Sequence, residues 1–583
     1  MKKNVLITTG LEKTWLPGDN IVFLGEWCKK HCSRKLLDKF THQTVQFHWN
    51  DREKFEADAV YLQQLHERLL ASLHIFLNNY HRTNYSLRYW RVVVGPWLSL
   101  FVPAAFDRWE TVQKAVLLNK YDGVTLNENL PSDFVSSDYG SFSFAMLQDT
   151  WNYILYSDII ANMPGVPEYE PTSNVRPQNN EVPKAVQNLL VKKIINAVDF
   201  LASKFQPKYR VAFINSYFGP RARLCLALKL RQLPRFYSKF RAEIKCKKTL
   251  DDARKSAINI EVSNDFERYI NEKGLQFIPF SYLEGFASYT KHADSISDDV
   301  KLIVTANDHF SNDIFKIWCA NRLEFSNCKL ILSSHGGSLP SKFSSFQQHE
   351  EQVSSFRVVW HRALSEKQIQ LPANKYINKK RFKIQKKDNT VTVLGMDCGR
   401  YVFGAQSGTN SSSMLLEFEQ KRVFLSHLIF DHKRGVEFYP YPYPGESWEI
   451  NSRYSQLFGS NILSKYSSYE EALSRSKILI CCYPQTTYAD AMVSNTPTVL
   501  LYLPEFWTFP CYFDSIVEDL TKAKMLFTDP ISAAEHVNLV WDNPNDWWES
   551  KLVKETRENF FDECVCLSEN GVKDWHHFLE EQS

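Results

Sequence analysis

The chain has 583 residues, 44% of them hydrophobic and 23% charged, with 69 Lys+Arg against 66 Asp+Glu. Single cores stop growing at roughly 250 to 300 residues, so two or three domains are expected, and the composition excludes a disordered or fibrous chain. The near balance of charge gives no footing for nucleic acid as the main partner.

The opening "MKKNVLITTG" has a basic start but only a short strand-like apolar run, unlike the longer apolar core of a secretory signal. "NIVFLGEWC" reads as a second strand, and a long helical zone covers Phe55 to Tyr80. "YWRVVVGPWLSLF" follows as a further strand-like run; its apolar stretch from Val92 is broken by Pro96 and Pro103 and is too short to cross a bilayer. Later strands are expected at "YRVAFIN" (Tyr209), "LQFIPF" (Leu275), "VKLIVTAN" (Val300) and "CKLILSSHGG" (Cys328). The second half gives "NTVTVLGMD" (Asn389), "RVFLSHLIF" (Arg422), "KILICCY" (Lys477), "PTVLLY" (Pro497) and "KMLFTD" (Lys524). Such alternation with helical stretches argues for an α/β protein with parallel sheets and crossover helices, in two Rossmann-like halves.

The expected divisions are an N-terminal domain over 1–374 with helical insertions, a linker over 375–388, a second α/β domain over 389–546, and a helical segment over 547–583 that packs back on the first domain. The linker carries seven Lys/Arg in "NKYINKKRFKIQKKDNT". That run reads either as a solvated connection or as a contact with an anionic membrane surface or substrate. Most of the 12 cysteines lie in apolar runs, as Cys481 and Cys482 do, and read as small buried hydrophobes. Cys28, His31 and Cys32 in "CKKHC" resemble half a zinc site, but no second Cys/His pair follows at ligand spacing.

Three segments carry chemistry. After "KILICCY", residues Gln485, Thr486 and Thr487 open a helix whose first-turn N–H groups suit a phosphate anion; the other reading is that Thr486 merely caps the helix. In "SSHGGSLP", Ser334, His335, Gly336 and Gly337 follow a strand, where glycines admit a close ligand and a histidine pairs with phosphate or accepts a proton. The alternative is a tight turn without function. Glu26, after Gly25 at the end of the second strand, is either a general base or a surface residue favoured by a helix dipole. No Walker loop, no Gly-x-Gly-x-x-Gly after the first strand and no Gly-x-Ser-x-Gly elbow occurs, which disfavours nucleotide hydrolysis, dinucleotide redox and esterase chemistry. No Asp-x-Asp stands beside a strand to hold a metal, so metal-independent transfer is expected.

Taken together, "TTGLEKTW", "FLGEWC", "RYWRVVVGPWL" with "FDRW", "DTWNYILYSDII", "PFSYLEGF", "SSHGGSLP" and "TTYADAMVSNTPTVLLY" make the chain resemble the bacterial surface-carbohydrate biosynthesis transferases of sugar gene clusters with nonulosonic acid pathways. The match runs nearly end to end; it departs at Leu339-Pro340, where the family has Tyr-Gly, and in the apolar approach to the threonines. The resemblance implies a GT-B-like pair of Rossmann-like domains facing across a cleft. It also implies an inverting, metal-independent glycosyltransferase that moves a pseudaminic, legionaminic or sialic type sugar from a CMP-activated donor to a hydroxyl of a cell-surface glycan. No cofactor beyond that co-substrate is implied. His335 with Ser334, Gly336, Gly337, Gln485, Thr486 and Thr487 would hold the donor phosphate and nucleotide. Either Glu26 or His335 would be the base, and Arg400 and Lys342 are candidate partners for the donor carboxylate. The expected location is the cytoplasm, at most peripheral to the inner face of the cytoplasmic membrane, where a lipopolysaccharide or capsule acceptor would be met. A CDP-glycerol or CDP-ribitol type phosphotransferase, an epimerase, and a non-catalytic carbohydrate-assembly protein on the same fold are the alternatives.

Overall fold

The computed structural model describes residues 4–15, 20–31, 37, 41–118, 121–127, 134–165, 169–172, 189–206, 208–244, 249–296, 299–377, 387–429, 435–443 and 445–583. Cys32 and residues 378–386, the centre of the basic linker, lie outside them.

Among the described residues, fifteen strands form three five-stranded sheets, every named pair of which is parallel. The first sheet contains β1 (Asn4–Ile7), β2 (Asn20–Phe23), β3 (His42–Thr44), β4 (Gly123–Asn127) and β5 (Tyr169–Thr172) in the order β3-β2-β1-β4-β5. The second contains β6 (Lys208–Ile214), β7 (Asp299–Thr305), β8 (Lys329–Ser333), β9 (Phe356–Val359) and β10 (Gln368–Gln370), laid down one after another. The third contains β11 (Thr390–Leu394), β12 (Gly435–Tyr439), β13 (Ile478–Cys481), β14 (Thr498–Leu501) and β15 (Leu526–Phe527), in the order β12-β11-β13-β14-β15. The parallel α/β reading therefore holds, but residues 1–374 carry two sheets rather than one.

Strand order determines where ligands bind. In an open α/β sheet they lie beyond the carboxyl ends at the point where strand order reverses. That point falls between β1 and β4 in the first sheet and between β11 and β13 in the third. The second sheet has no reversal. Any site at its carboxyl end must be completed by a neighbouring unit.

Alternation along the second sheet feeds two cores. Val211, Phe213, Leu302, Val304, Ile331 and Val358 pack with Leu226, Leu230, Trp575, Phe578 and Leu579. The C-terminal helix Gly571–Gln582 thus lies on this sheet, with Trp575 Nε1 donating to the Pro372 carbonyl at 2.8 Å. On the opposite face, Ala212, Ile303, Leu330 and Leu332 join the large core that includes the helix Leu87–Leu117.

Three expected strands are helical. "YWRVVVGPWLSLF" belongs to Leu87–Leu117, a helix buried nearly all round, where β-branched residues pack as well as in a sheet. Pro96 and Pro103 remain inside it, each removing only one intrahelical donor. The start of "RVFLSHLIF" ends the helix Met414–Ser426, and Leu275–Phe277 closes the helix Asp265–Phe277. In both, a short apolar run looked like a buried strand because periodicity cannot separate the two at that length.

Removing the Trp575 side chain leaves a large cavity under the second sheet. Trp575→Ala is expected to cost about 3–5 kcal/mol, seen as a lower urea midpoint. A midpoint equal to that of the unaltered protein would show that the last helix is not part of this core.

Candidate functional site

β13 is fully buried and delivers Cys482, Tyr483, Pro484 and Gln485 to the start of the helix Thr486–Val493. Gln485 is the N-cap and makes no side-chain capping bond, so Thr486 is the first helical residue and does not cap the helix. The Tyr488 and Ala489 N–H groups both bond the Gln485 carbonyl, at 3.0 and 3.3 Å. The N–H groups of Thr486 and Thr487 have no protein acceptor among the described residues. They present the partial positive charge of the helix start. Thr487 shares a hydrogen bond with the Tyr483 hydroxyl, and the Tyr483 ring stacks on Trp507 at 5.9 Å. Asp490, one turn along, holds the helix in place through Lys375 at 2.7 Å and the Tyr376 hydroxyl at 2.6 Å.

The loop leaving β8 meets this helix. Gly337 N–H donates to Thr486 Oγ1 at 2.9 Å, joining the second sheet to the third. Gly337 has φ +145°, and a Cβ on Gly336 would stand 2.2 Å from Thr486 Oγ1. Both glycines are therefore required by this approach. The Ser334 N–H bonds Val358, and Leu339 is buried with Trp360, Tyr376 and Tyr488, so the loop is fixed at both ends. Gln485 Nε2 reaches Ser341 Oγ at 3.2 Å. His335 keeps an edge open to solvent, and its ring centroid is 6.2 Å from that of Tyr217. Desolvation lowers its pKa from the usual histidine value against the opposing charge of Glu350.

The other expected residues fall elsewhere. Glu26 opens the short 3-10 turn Glu26–Cys28 at the end of β2 and pairs with Lys29 at 2.8 Å. It is not brought into the Gly337–Thr486 contact. Beside it lies a cluster that sequence reasoning missed. Asp149, at the start of the helix Asp149–Asn162, is buried and pairs with Lys30 at 2.6 Å and Arg400 at 2.8 Å. It also accepts from the Tyr401 hydroxyl at 2.5 Å. Arg400 further bonds Glu446 and the Trp27 carbonyl. Arg400 follows β11 and Asp149 faces Gly10 after β1, so the cluster ties the reversal points of the first and third sheets together. Arg400, a candidate partner for the donor carboxylate, is paired here with the buried Asp149 and the half-buried Glu446. Lys342 is likewise paired, with Glu56 at 3.0 Å. The motif containing Asp149 was visible in "DTWNYILYSDII", but nothing in its spacing showed which polar residue would be buried against another unit. Cys28 is buried, and its thiol donates to the Ile7 carbonyl; burial raises its pKa to about 12. Among the described residues no group of three His, Cys, Asp or Glu is placed to hold a metal.

A family model, that of the LIC12162 family transferases, matches residues 4–579. The chain belongs to that family. No curated protein is significantly similar to this LIC12162 family transferase. Among solved structures it is similar to MurG of Acinetobacter baumannii, at 10% identity over 64% of this chain and 100% of that one, with a TM-score of 0.32. It is also similar to the spinosyn rhamnosyltransferase SpnG, at 10% identity over 48% of this chain and 72% of that one, with a TM-score of 0.29.

Burial would raise the Asp149 pKa, but Arg400 and Lys30 outweigh it and hold the carboxyl down at about 2. A folded pKa below the unfolded value of about 3.9 contributes stability above pH ~4 that is lost as pH falls toward 2. Asp149→Asn is expected to cost about 3–5 kcal/mol, because it leaves buried cations without their carboxylate, and to flatten that acid limb. Denaturation curves between pH 7 and 3 check both, and an unchanged curve would make the cluster incidental.

Proposed function

We propose that this transferase is a glycosyltransferase that holds the phosphate of a CMP-activated nonulosonic acid between the Ser334–Gly337 loop and the start of the helix Thr486–Val493. The observation that carries the reading is the hydrogen bond from Gly337 to Thr486, which brings two anion-suited segments from facing sheets to one point. There the N–H groups of Thr486 and Thr487 and the hydroxyl hydrogen of Thr486 are free for a ligand. These donors are aimed where charge grows as the phosphate departs. The chemistry supplied by these groups needs no metal, and CMP binding that persists in EDTA is the corresponding expectation. The acceptor is a hydroxyl of a cell-surface glycan, met at the inner face of the cytoplasmic membrane. The membership of a transferase family supports the reaction class.

A thermal-shift screen against CMP, CDP, UDP and GDP tests the donor. CMP at 100 times its Kd should stabilise the fold by about 2.7 kcal/mol. Stabilisation by UDP alone would contradict a CMP donor, and stabilisation by CDP alone would favour phosphotransfer from a CDP-linked donor. Thr486→Val should weaken CMP about 10- to 100-fold, the loss of a hydrogen bond to a charged group. Desolvation disfavours the protonated form of His335, and a bound phosphate favours it. CMP affinity should therefore rise as pH falls from 8 to 6, and His335→Ala should remove the part of that rise due to the imidazole.

A further inference from the structure

The carboxyl end of the second sheet carries more than His335. Register pairs Ile214 with Thr305 and Thr305 with Leu332. Three residues beyond each of these stand Tyr217, Asp308 and His335, in one row across three adjacent strand ends. Side-chain contacts agree with that row. The Tyr217 and His335 rings are 6.2 Å apart, Asn215 Nδ2 donates to Asp308 Oδ1 at 2.8 Å, and Asn312 Nδ2 lies 3.4 Å from the other oxygen.

The loop that supplies Tyr217 is strained. Asn215 has φ 43° and Tyr217 φ 58°, a region that bulky side chains rarely adopt. Such strain persists only where the surroundings enforce it, and it gathers at functional sites. Here Asn374 Nδ2 bonds the Ser216 carbonyl at 2.5 Å and Ser333 Oγ at 3.2 Å. The Ala306 N–H bonds the Asn215 carbonyl at 3.1 Å, and Phe218 packs edge-on against Trp575 at 4.9 Å. Desolvation raises the Asp308 pKa, in spite of the Asn215 and Asn312 amides and the charges of His309 and Arg241 that face it; Tyr217 is the other titratable neighbour. A carboxylate whose pKa is shifted upward is a stronger proton acceptor than an ordinary one.

We propose that Asp308 is the catalytic base of the transfer, with Tyr217 positioning the acceptor between it and His335. This rests on the reading of the Gly337–Thr486 junction as the donor phosphate seat. The acceptor hydroxyl proton passes to the Asp308 carboxylate while the acceptor oxygen bonds the anomeric carbon. The bond from that carbon to the phosphate oxygen breaks, and its electron pair leaves with the CMP phosphate. Glu26, one of the two candidate bases from the sequence, lies at the end of the first sheet and is paired with Lys29, outside this row, whereas His335, the other, stands in it.

The test uses the full chain and CMP-N-acetylneuraminic acid, with water as the acceptor, following CMP release above the uncatalysed rate. Asp308→Asn should lower the rate at least 100-fold while its thermal stabilisation by CMP stays within twofold of the unaltered protein, which also shows that the variant folds. Asp308→Asn within threefold of the unaltered rate overturns the assignment, as does a loss confined to Glu26→Gln. An unaltered protein that neither binds CMP nor consumes the donor overturns the phosphate seat itself, and the role of Asp308 falls with it. An unaltered protein that does both, with Asp308→Asn inactive but still stabilised, supports the two together.

Discussion

The hydrogen bond from Gly337 to Thr486 is the contact on which the arrangement of the site depends. Parallel strands all release their loops at the same edge, and the helices that follow turn their N–H ends toward it. Two such edges facing each other concentrate backbone donors in one crevice. Close approach requires that nothing project from the loop, and a Cβ on Gly336 would overlap Thr486. The glycines and the threonine are therefore one feature divided between two sheets.

Rigidity around this contact comes from different kinds of interaction on its two sides. On the third sheet, Asp490 fixes the helix to Lys375 and Tyr376, the first two residues of the basic linker. On the second, Leu339 enters the core of the neighbouring unit, and the C-terminal helix closes the far face. The Asp149–Arg400 pair joins the first sheet to the third in the same way, with charge in place of apolar area. A buried pair of this kind is a poor source of net stability but is costly to break on one side. That property suits a connection that must fix how two units meet.

Much of this was legible in the sequence because it is local. Alternating apolar runs and helical stretches gave the parallel α/β class, and Thr486, Thr487 and His335 stood out as polar groups at strand ends. What was not legible depends on distance in space. Three sheets rather than two follow from pairings that short strands such as β3, β5 and β10 do not announce. Arg400 looked like a free cation because Asp149, its partner, lies 251 positions earlier in the chain. The left-handed backbone at Tyr217 has no sequence signal, since glycine or asparagine would be the usual occupant. Leu87–Leu117 misled because a helix buried on every side carries no amphipathic period.

The account stands or falls on where the nucleotide phosphate sits. A crystal structure of the protein with CMP should place phosphate oxygens within hydrogen-bond distance of the Thr486 and Thr487 N–H groups, with the His335 ring at the same phosphate. Nucleotide bound instead at the Asp149–Arg400 cluster, or with its phosphate away from the helix start, would contradict it.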